Sequence, residues 1–258
     1  MVKPRIIIVT QARIGSTRFP EKVLQQIGNE TLLSIHLKRL KKSTLADKII
    51  VATTFEEKSH YIIDIAKNEN IAVFQGSTND ILDRFYQAVK NENAELIVRV
   101  TSDCPLIDPS LIDQVINMVI DNDLDYGANI FNENFPDGQD VEVFKFDALE
   151  KAWAEAKLIS EREHVTPYLR NNSTFYNKNI FKSGNLDAPY NLNHLRMTVD
   201  EFIDLDAIKV LVSQLGINAS WKDYIFIMES CPELFKNQNI IRNEGYLKSI
   251  NNDRNEDK

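Results

Sequence analysis

Short β-branched runs alternate with amphipathic stretches through the first hundred residues, and this alternation constrains the fold more than any other feature. The runs fall at 6–9 (IIIV), 49–52 (IIVA), 71–74 (IAVF) and 96–100 (LIVRV). Stretches with helical periodicity lie between them at 32–42, 57–68 and 80–91, where Leu33, Leu37 and Leu40, then Ile62, Ile65 and Ala66, then Leu82, Phe85 and Val89 share a face. Strand and helix in strict alternation specify a parallel sheet, because parallel neighbours need a crossover that a helix supplies. The expected class is α/β, Rossmann-like, with a mostly parallel sheet and flanking helices.

The second half is less regular. Helices are expected at 109–122, 147–157 and 201–215, strands at 126–130 and 141–146, and a returning strand at 196–199. An Asn-rich stretch at 171–195, with Gly184 and Pro189, reads as irregular structure. The sequence is expected to form one domain over 1–250, with 131–185 as a small excursion and a frayed polar tail at 251–258.

The formal charge of −8 and pI near 5.1 provide no positive field for a nucleic-acid backbone, so an anionic ligand must be held locally. Cys104 and Cys231 give neither a disulfide framework nor a metal spacing, which fits a reduced cytoplasm. No run is long enough for a secretory h-region or a membrane span, so no membrane partner is expected.

In open α/β sheets ligands bind beyond the carboxyl ends of the strands, so the residues directly after each run carry the chemistry. After the first run, residues 11–22 read QARIGSTRFPEK. Gly15, Ser16 and Thr17 let backbone amides approach an anion, and Arg13, Arg18 and Lys22 neutralise it; a solvated basic loop is the alternative. Neither GxGxxG nor GxxxxGK[ST] is present, which counts against dinucleotide and P-loop sites. Asp103 leaves the fourth run on the same rim and either holds Mg²⁺ or caps a helix, although Asp108, directly before Pro109, is the better cap. Asp200 follows the apolar MTV and precedes the last expected helix, again as metal ligand or cap, while Asp204 and Asp206 read as exposed. Cys104 reads as structural, with no neighbouring cation to activate it.

Three further segments invite two readings each. In 76–85 (GSTNDILDRF), Ser77, Asp80 and Arg84 either fix base or ribose or form a helix cap with a surface face. In 135–144 (FPDGQDVEVF) a turn at Asp137 and Gly138 precedes an alternation that puts Asp140 and Glu142 on one face, toward a cleft or toward solvent. In 160–169 (SEREHVTPYL) Ser160 and Glu163 suit a capping box, which leaves Arg162 and His164 free.

ARIGSTRFPEK (12–22) resembles the ARxxSxRxPxK stretch of the CMP-sugar synthetases, the cytidylyltransferase family that includes the acylneuraminate and 3-deoxy-manno-octulosonate enzymes. The segments around Asp80, Asp140 and His164 resemble its spore-coat polysaccharide branch. The resemblance extends to about Leu215 and is strongest in the first third. It departs in reading TQAR where octulosonate enzymes tend to have PAR, and the acylneuraminate pattern is missing from the middle.

The resemblance implies a nucleotide-diphospho-sugar transferase fold and a homodimer built through 131–185. CTP would be held by Ala12, Arg13, Gly15, Ser16, Arg18 and Lys22, with Ser77, Asp80, Arg84 and Ser102. Mg²⁺ would sit on Asp103 and Asp200, which with Arg13 and Lys22 form the catalytic set. Asp140, Glu142, Arg162 and His164 would meet the acceptor, an acidic sugar whose oxygen attacks the α-phosphorus of CTP and displaces pyrophosphate. Two other readings are a glycosyltransferase of the same fold, which would need a DxD-type site where the chain has SDCP, and a non-catalytic nucleotide-binding subunit, against which both Asp103 and Asp200 stand.

Overall fold

The structure is a computed structural model and describes residues 3–16 and 18–256; Thr17, expected in the phosphate loop, and the last two residues of the expected tail lie outside it. In chain order the elements are β1 (Ile6–Gln11), β2 (Gln26–Ile27), β3 (Glu30–Thr31), α1 (Leu32–Leu40), β4 (Lys48–Thr54), α2 (Ser59–Asn68), β5 (Ala72–Gly76), α3 (Ile81–Val89) and β6 (Leu96–Thr101). Then come α4 (Pro109–Asp121), β7 (Tyr126–Ala128), β8 (Glu142–Lys145), α5 (Phe146–Glu155), α6 (Ile159–His164), α7 (Pro167–Asn171), β9 (Ser183–Asn185), α8 (Phe202–Leu215), α9 (Trp221–Ser230) and α10 (Glu244–Glu256).

Seven strands form one sheet in the order β5-β4-β1-β6-β8-β7-β9. β5, β4, β1 and β6 are mutually parallel, β8 runs antiparallel between β6 and β7, and β9 pairs parallel with β7. From β1 the chain first adds β4 and β5 on one side and then β6 on the other. The resulting crevice opens at the carboxyl ends of β1 and β6, which carry the 11–22 loop and Asp103.

The apolar faces expected for the first three helices are the buried ones. Leu33, Leu37, Leu40, Ile62, Leu82, Phe85 and Val89 are fully buried. α1, α2, α4, α8 and α9 cover one face of the sheet, and α3, α5, α6 and α7 cover the other. Helix starts follow local chemistry: Thr31 accepts from Ser34 N–H at 3.1 Å, and Asp108, before Pro109, accepts from Ser110 N–H at 2.8 Å.

Four expectations fail. Residues 196–199 do not form a strand: the segment is extended, but it bonds to Asp137 on one side and Asp103 on the other, so no ladder develops. Asp204 is fully buried rather than exposed. At α6 the box partner is Glu161, whose Oε2 accepts from Lys157 and Leu158 N–H, not Glu163 with Ser160. The tail expected to fray from 251 is helical through Glu256. α10 carries few apolar residues and docks on α6 through polar contacts: Ser160 N–H donates to Asp253 Oδ1 at 3.1 Å, and Ser249 bridges His164 and Glu163.

Candidate active site

A cleft of about 410 Å³ opens at the crevice, a size suited to a small-molecule ligand. Ala12, Arg13, Ser16, Arg18 and Lys22 from the loop after β1, with Ser102 and Asp103 from the end of β6 and Asp200 from before α8, form one end.

Lys22 organises this end. Its Nζ donates to Asp103 Oδ2 at 3.0 Å, to Asp200 Oδ1 at 2.9 Å and to Val199 O at 3.0 Å. Burial alone would lower the Lys22 pKa, but the two carboxylates outweigh it and the ammonium is held more firmly than usual. Burial likewise opposes ionisation of Asp103, yet Lys22 and hydrogen bonds from Thr101 and Cys104 hold its carboxyl well below the ordinary range. Residues far apart in sequence thus bring two carboxylates to a single cation, so their oxygens lie no farther apart than the sum of those two bond lengths.

The capping alternatives for both aspartates are not what the side chains do. Asp108 caps α4, and at α8 the backbone N–H groups of Asp200 and Glu201 donate to Asp204 Oδ2 at 2.9 and 3.0 Å. The Asp200 carboxylate therefore faces Lys22, Arg18 at 3.1 Å and Arg196 at 3.2 Å. Arg196 is buried and fixed by Asp204 and Asp137. Asp204 also accepts from Asn237 Nδ2 at 2.9 Å, so a charge network beneath the cleft sets the position of Asp200.

Arg84 also lines the cleft. It is 1% exposed, donates to Ser77 O at 2.7 Å, and leaves its Nε buried without a partner. Burial, then the neighbouring charge of Arg13, lower its pKa to about 10. Two cations side by side favour an anion between them.

Other expected nucleotide contacts are elsewhere. Gly15 has an ordinary backbone conformation and backs onto Glu56 rather than lining the cleft. Ser77 accepts from Asp80 N–H, and Asp80 caps α3 and pairs with Arg162, so all three brace the joint between α3 and α6. Arg162 is spent in that joint, because Asp80 is the nearest carboxylate and Trp153 O takes another of its donors at 2.6 Å.

Asp140, Glu142 and His164 also line the cleft, an outcome that the alternation and the SEREH segment leave open. Asp140 pairs with Arg242 at 2.6 Å, and Glu142 pairs with Arg99 and accepts from the Tyr126 hydroxyl. Burial raises the pKa of Asp140, and burial followed by Asp140 raises Asp137 to about 7. His164 lies in the wall, but burial lowers its pKa to about 4, so at neutral pH it is an uncharged ring bonded to Ser249 Oγ at 3.0 Å.

Arg99, Arg170 and Arg242 line the cleft with them and escaped the sequence reading. Arg99 was signalled by a cation inside the otherwise apolar LIVRV; Arg242, in a polar tail, carried no such signal.

Among the described residues no cluster of three or more His, Cys, Asp or Glu could hold a metal by itself. Two converging carboxylates nevertheless fit Mg²⁺, which uses one or two protein carboxylates and completes its shell with phosphate and water.

A sequence profile described as "Cytidylyltransferase" matches residues 6–228. The chain is similar to an uncharacterized protein of Methanocaldococcus jannaschii, 38% identical over 94% of this chain and 98% of that one. It is also similar to the spore coat polysaccharide biosynthesis protein SpsF of Bacillus subtilis, 32% identical over 82% of this chain and 88% of that one. Among solved structures, a cytidylyltransferase from Leptospira borgpetersenii superposes with a TM-score of 0.86 at 34% identity, over 93% of this chain and all of that one.

Proposed function

Because the chain belongs to the cytidylyltransferase family, we propose that it transfers CMP from CTP to an acidic sugar, with Mg²⁺ at the reacting centre, in the building of a surface polysaccharide. The observation that carries this reading is the convergence of Asp103 and Asp200 on Lys22 beneath the Arg13–Arg18 loop.

Arg13, Arg84 and Arg18 hold the triphosphate, and Lys22 spans the step from phosphate to carboxylate. Asp103 and Asp200 would hold Mg²⁺, which when bound neutralises phosphate charge. An acceptor hydroxyl oxygen bonds to the α-phosphorus in line, the bond from that phosphorus to the bridging oxygen breaks, and the electron pair leaves with pyrophosphate. The hydroxyl proton passes to solvent. Such transfers need positioning and charge neutralisation more than a covalent nucleophile, and Cys104, buried with its thiol pKa pushed up, is unsuited to be one.

The test is pyrophosphate release from CTP with acidic-sugar acceptors. Asp103→Asn is expected to abolish turnover in a protein that still folds, with a lower melting temperature because Lys22 loses one of its two counter-charges; wild-type kcat in that variant would remove the assignment. A homodimer belongs to the same reading. Phe175, Tyr176 and Ile180 are exposed within the 131–185 excursion, with Phe175 stacked on Phe131 at 4.5 Å. A monomer mass by light scattering would end that part.

A further inference from the structure

The family profile stops at residue 228, but the cleft does not. After α9 the chain returns across the carboxyl rim of the sheet. Asn237, fully buried, is fixed to Asp204 and to Arg196 O, and Gln238 Oε1 accepts from Arg196 N–H at 2.7 Å. The same charge network that sets Asp200 therefore sets where the last segment starts. From there Arg242, Glu244, Tyr246 and Lys248 enter the wall of the cleft.

Arg242 is held in a fixed orientation with one donor to spare. Its Nη1 donates to Phe135 O at 3.0 Å and its Nη2 to Asp140 Oδ1 at 2.6 Å, which fix the plane of the guanidinium. Its Nε is buried without a partner, and Asp137, 3.9 Å away, is beyond hydrogen bonding. Arg99 repeats the arrangement, with Nη1 on Glu142 and a buried, unpartnered Nε. Both guanidiniums act on the Asp140 carboxyl, so they share one neighbourhood. Arg170, the third cation, is covered by the Tyr246 ring of α10 at 4.7 Å. Buried donors left without acceptors point to a ligand that supplies them, and planar guanidiniums suit a carboxylate. Of the four groups expected from sequence to meet an acidic sugar, the two basic ones do not compete for its carboxylate: Arg162 is tied to Asp80 and His164 is neutral.

We propose that Arg242, brought into the cleft by the segment beyond the family profile, is a specificity-determining residue that binds the acceptor's carboxylate together with Arg99. The proposal rests on the acidic-sugar reading above and adds to the acceptor's site a residue that the first 228 residues do not contain.

The test uses the full-length protein, CTP, and N-acetylneuraminate or 3-deoxy-manno-octulosonate, whichever wild type turns over, alongside the carboxamide of the same sugar. Wild type is expected to favour the acid by about 100-fold in kcat/KM, as sites built around a paired polar group do. Arg242→Met is expected to raise KM for the acid about tenfold or more, to shrink the acid-to-amide preference to a few-fold, and to leave KM for CTP within about twofold; Arg242→Lys recovers part of the preference. If the Met variant melts early, Arg242→Gln, uncharged and too short to reach the partners of the guanidinium but still polar, carries the same comparison. An unchanged KM for the acid and an unchanged preference would overturn the assignment of Arg242 while leaving the acceptor class standing. Turnover by wild type of neutral sugars in place of either acid would overturn the acceptor class, and the assignment with it.

Discussion

Replacing Asp204 with Asn tests the charge network beneath the cleft. The carboxylate is fully buried and accepts five hydrogen bonds: from Arg196 Nε at 2.9 Å and Nη2 at 3.0 Å, from Asn237 at 2.9 Å, and from the Asp200 and Glu201 amides. An amide of the same shape offers one acceptor oxygen where there were two and no charge to set against Arg196. Breaking a buried pair costs roughly 3–5 kcal/mol, because one ion is left without its counter-charge. Arg196 keeps Asp137 at 2.6 Å and Asp200 at 3.2 Å, so the lower end, about 3 kcal/mol, is expected. For a chain of this size that lowers the melting temperature by about 6–12 °C. The Asp204 pKa is lowered: burial opposes this, but Arg196, Asn237 and the Asp200 amide outweigh it. The stability it contributes is therefore present above the unfolded pKa and is lost as pH falls through the folded one, so the variant should lose part of the wild-type decline at acid pH. Calorimetry at pH 7 and over an acid series measures both. A fall of less than about 2 °C, with an acid limb parallel to wild type, would refute the network's role.

Two further predictions concern the supports of the site. His36 is buried between Thr10 Oγ1 and Cys104 O, and burial chiefly lowers its pKa to about 4, below its unfolded value. The unfolded chain then binds more protons between those values, so unfolding free energy should fall as pH drops from about 6.5 to 4, with a slope of up to about 1.4 kcal/mol per pH unit that His36→Gln removes; denaturant melts giving parallel profiles would contradict this. Gly138 has φ +100°, and a Cβ there would lie 2.6 Å from the Met197 carbonyl carbon and 2.7 Å from Thr198 N. Gly138→Ala should cost about 1–3 kcal/mol from the backbone angle alone, more from backbone that cannot step aside, and should lower kcat by shifting the chain that leads to Asp200; an unchanged melting temperature and kcat would count against it.

Much of this organisation was legible because burial writes itself into spacing. The apolar runs of β1, β4 and β6 are covered on both faces, that of β5 at the sheet edge only in part, and residues after β1 and β6 meet where the strand order reverses. Other features left weaker traces. Asp204 stands four and seven residues before Ile208 and Leu211, on the inward stripe of α8, so its burial was readable from periodicity had its charge not argued for solvent. Residues 196–199 have the composition of a strand, but their partners are single residues on two separate loops. α10 and Arg242 were illegible for a different reason: the helix docks through Ser249 and Asp253 instead of an apolar face, and polar contacts have no period. At the α3–α6 joint, Ser77, Asp80 and Arg162 were polar enough to suggest ligand contacts and satisfy one another instead.

The binding of Mn²⁺, in place of Mg²⁺, to the protein with saturating CTP tests most directly whether the phosphate loop and the two aspartates form one metal–triphosphate site. Electron paramagnetic resonance titration should find a single tight Mn²⁺ per chain, weakened about 10–100-fold by either Asp103→Asn or Asp200→Asn, and hardly further when the two are combined. Wild-type Mn²⁺ affinity in the combined variant would show that the ion sits elsewhere and contradict the account.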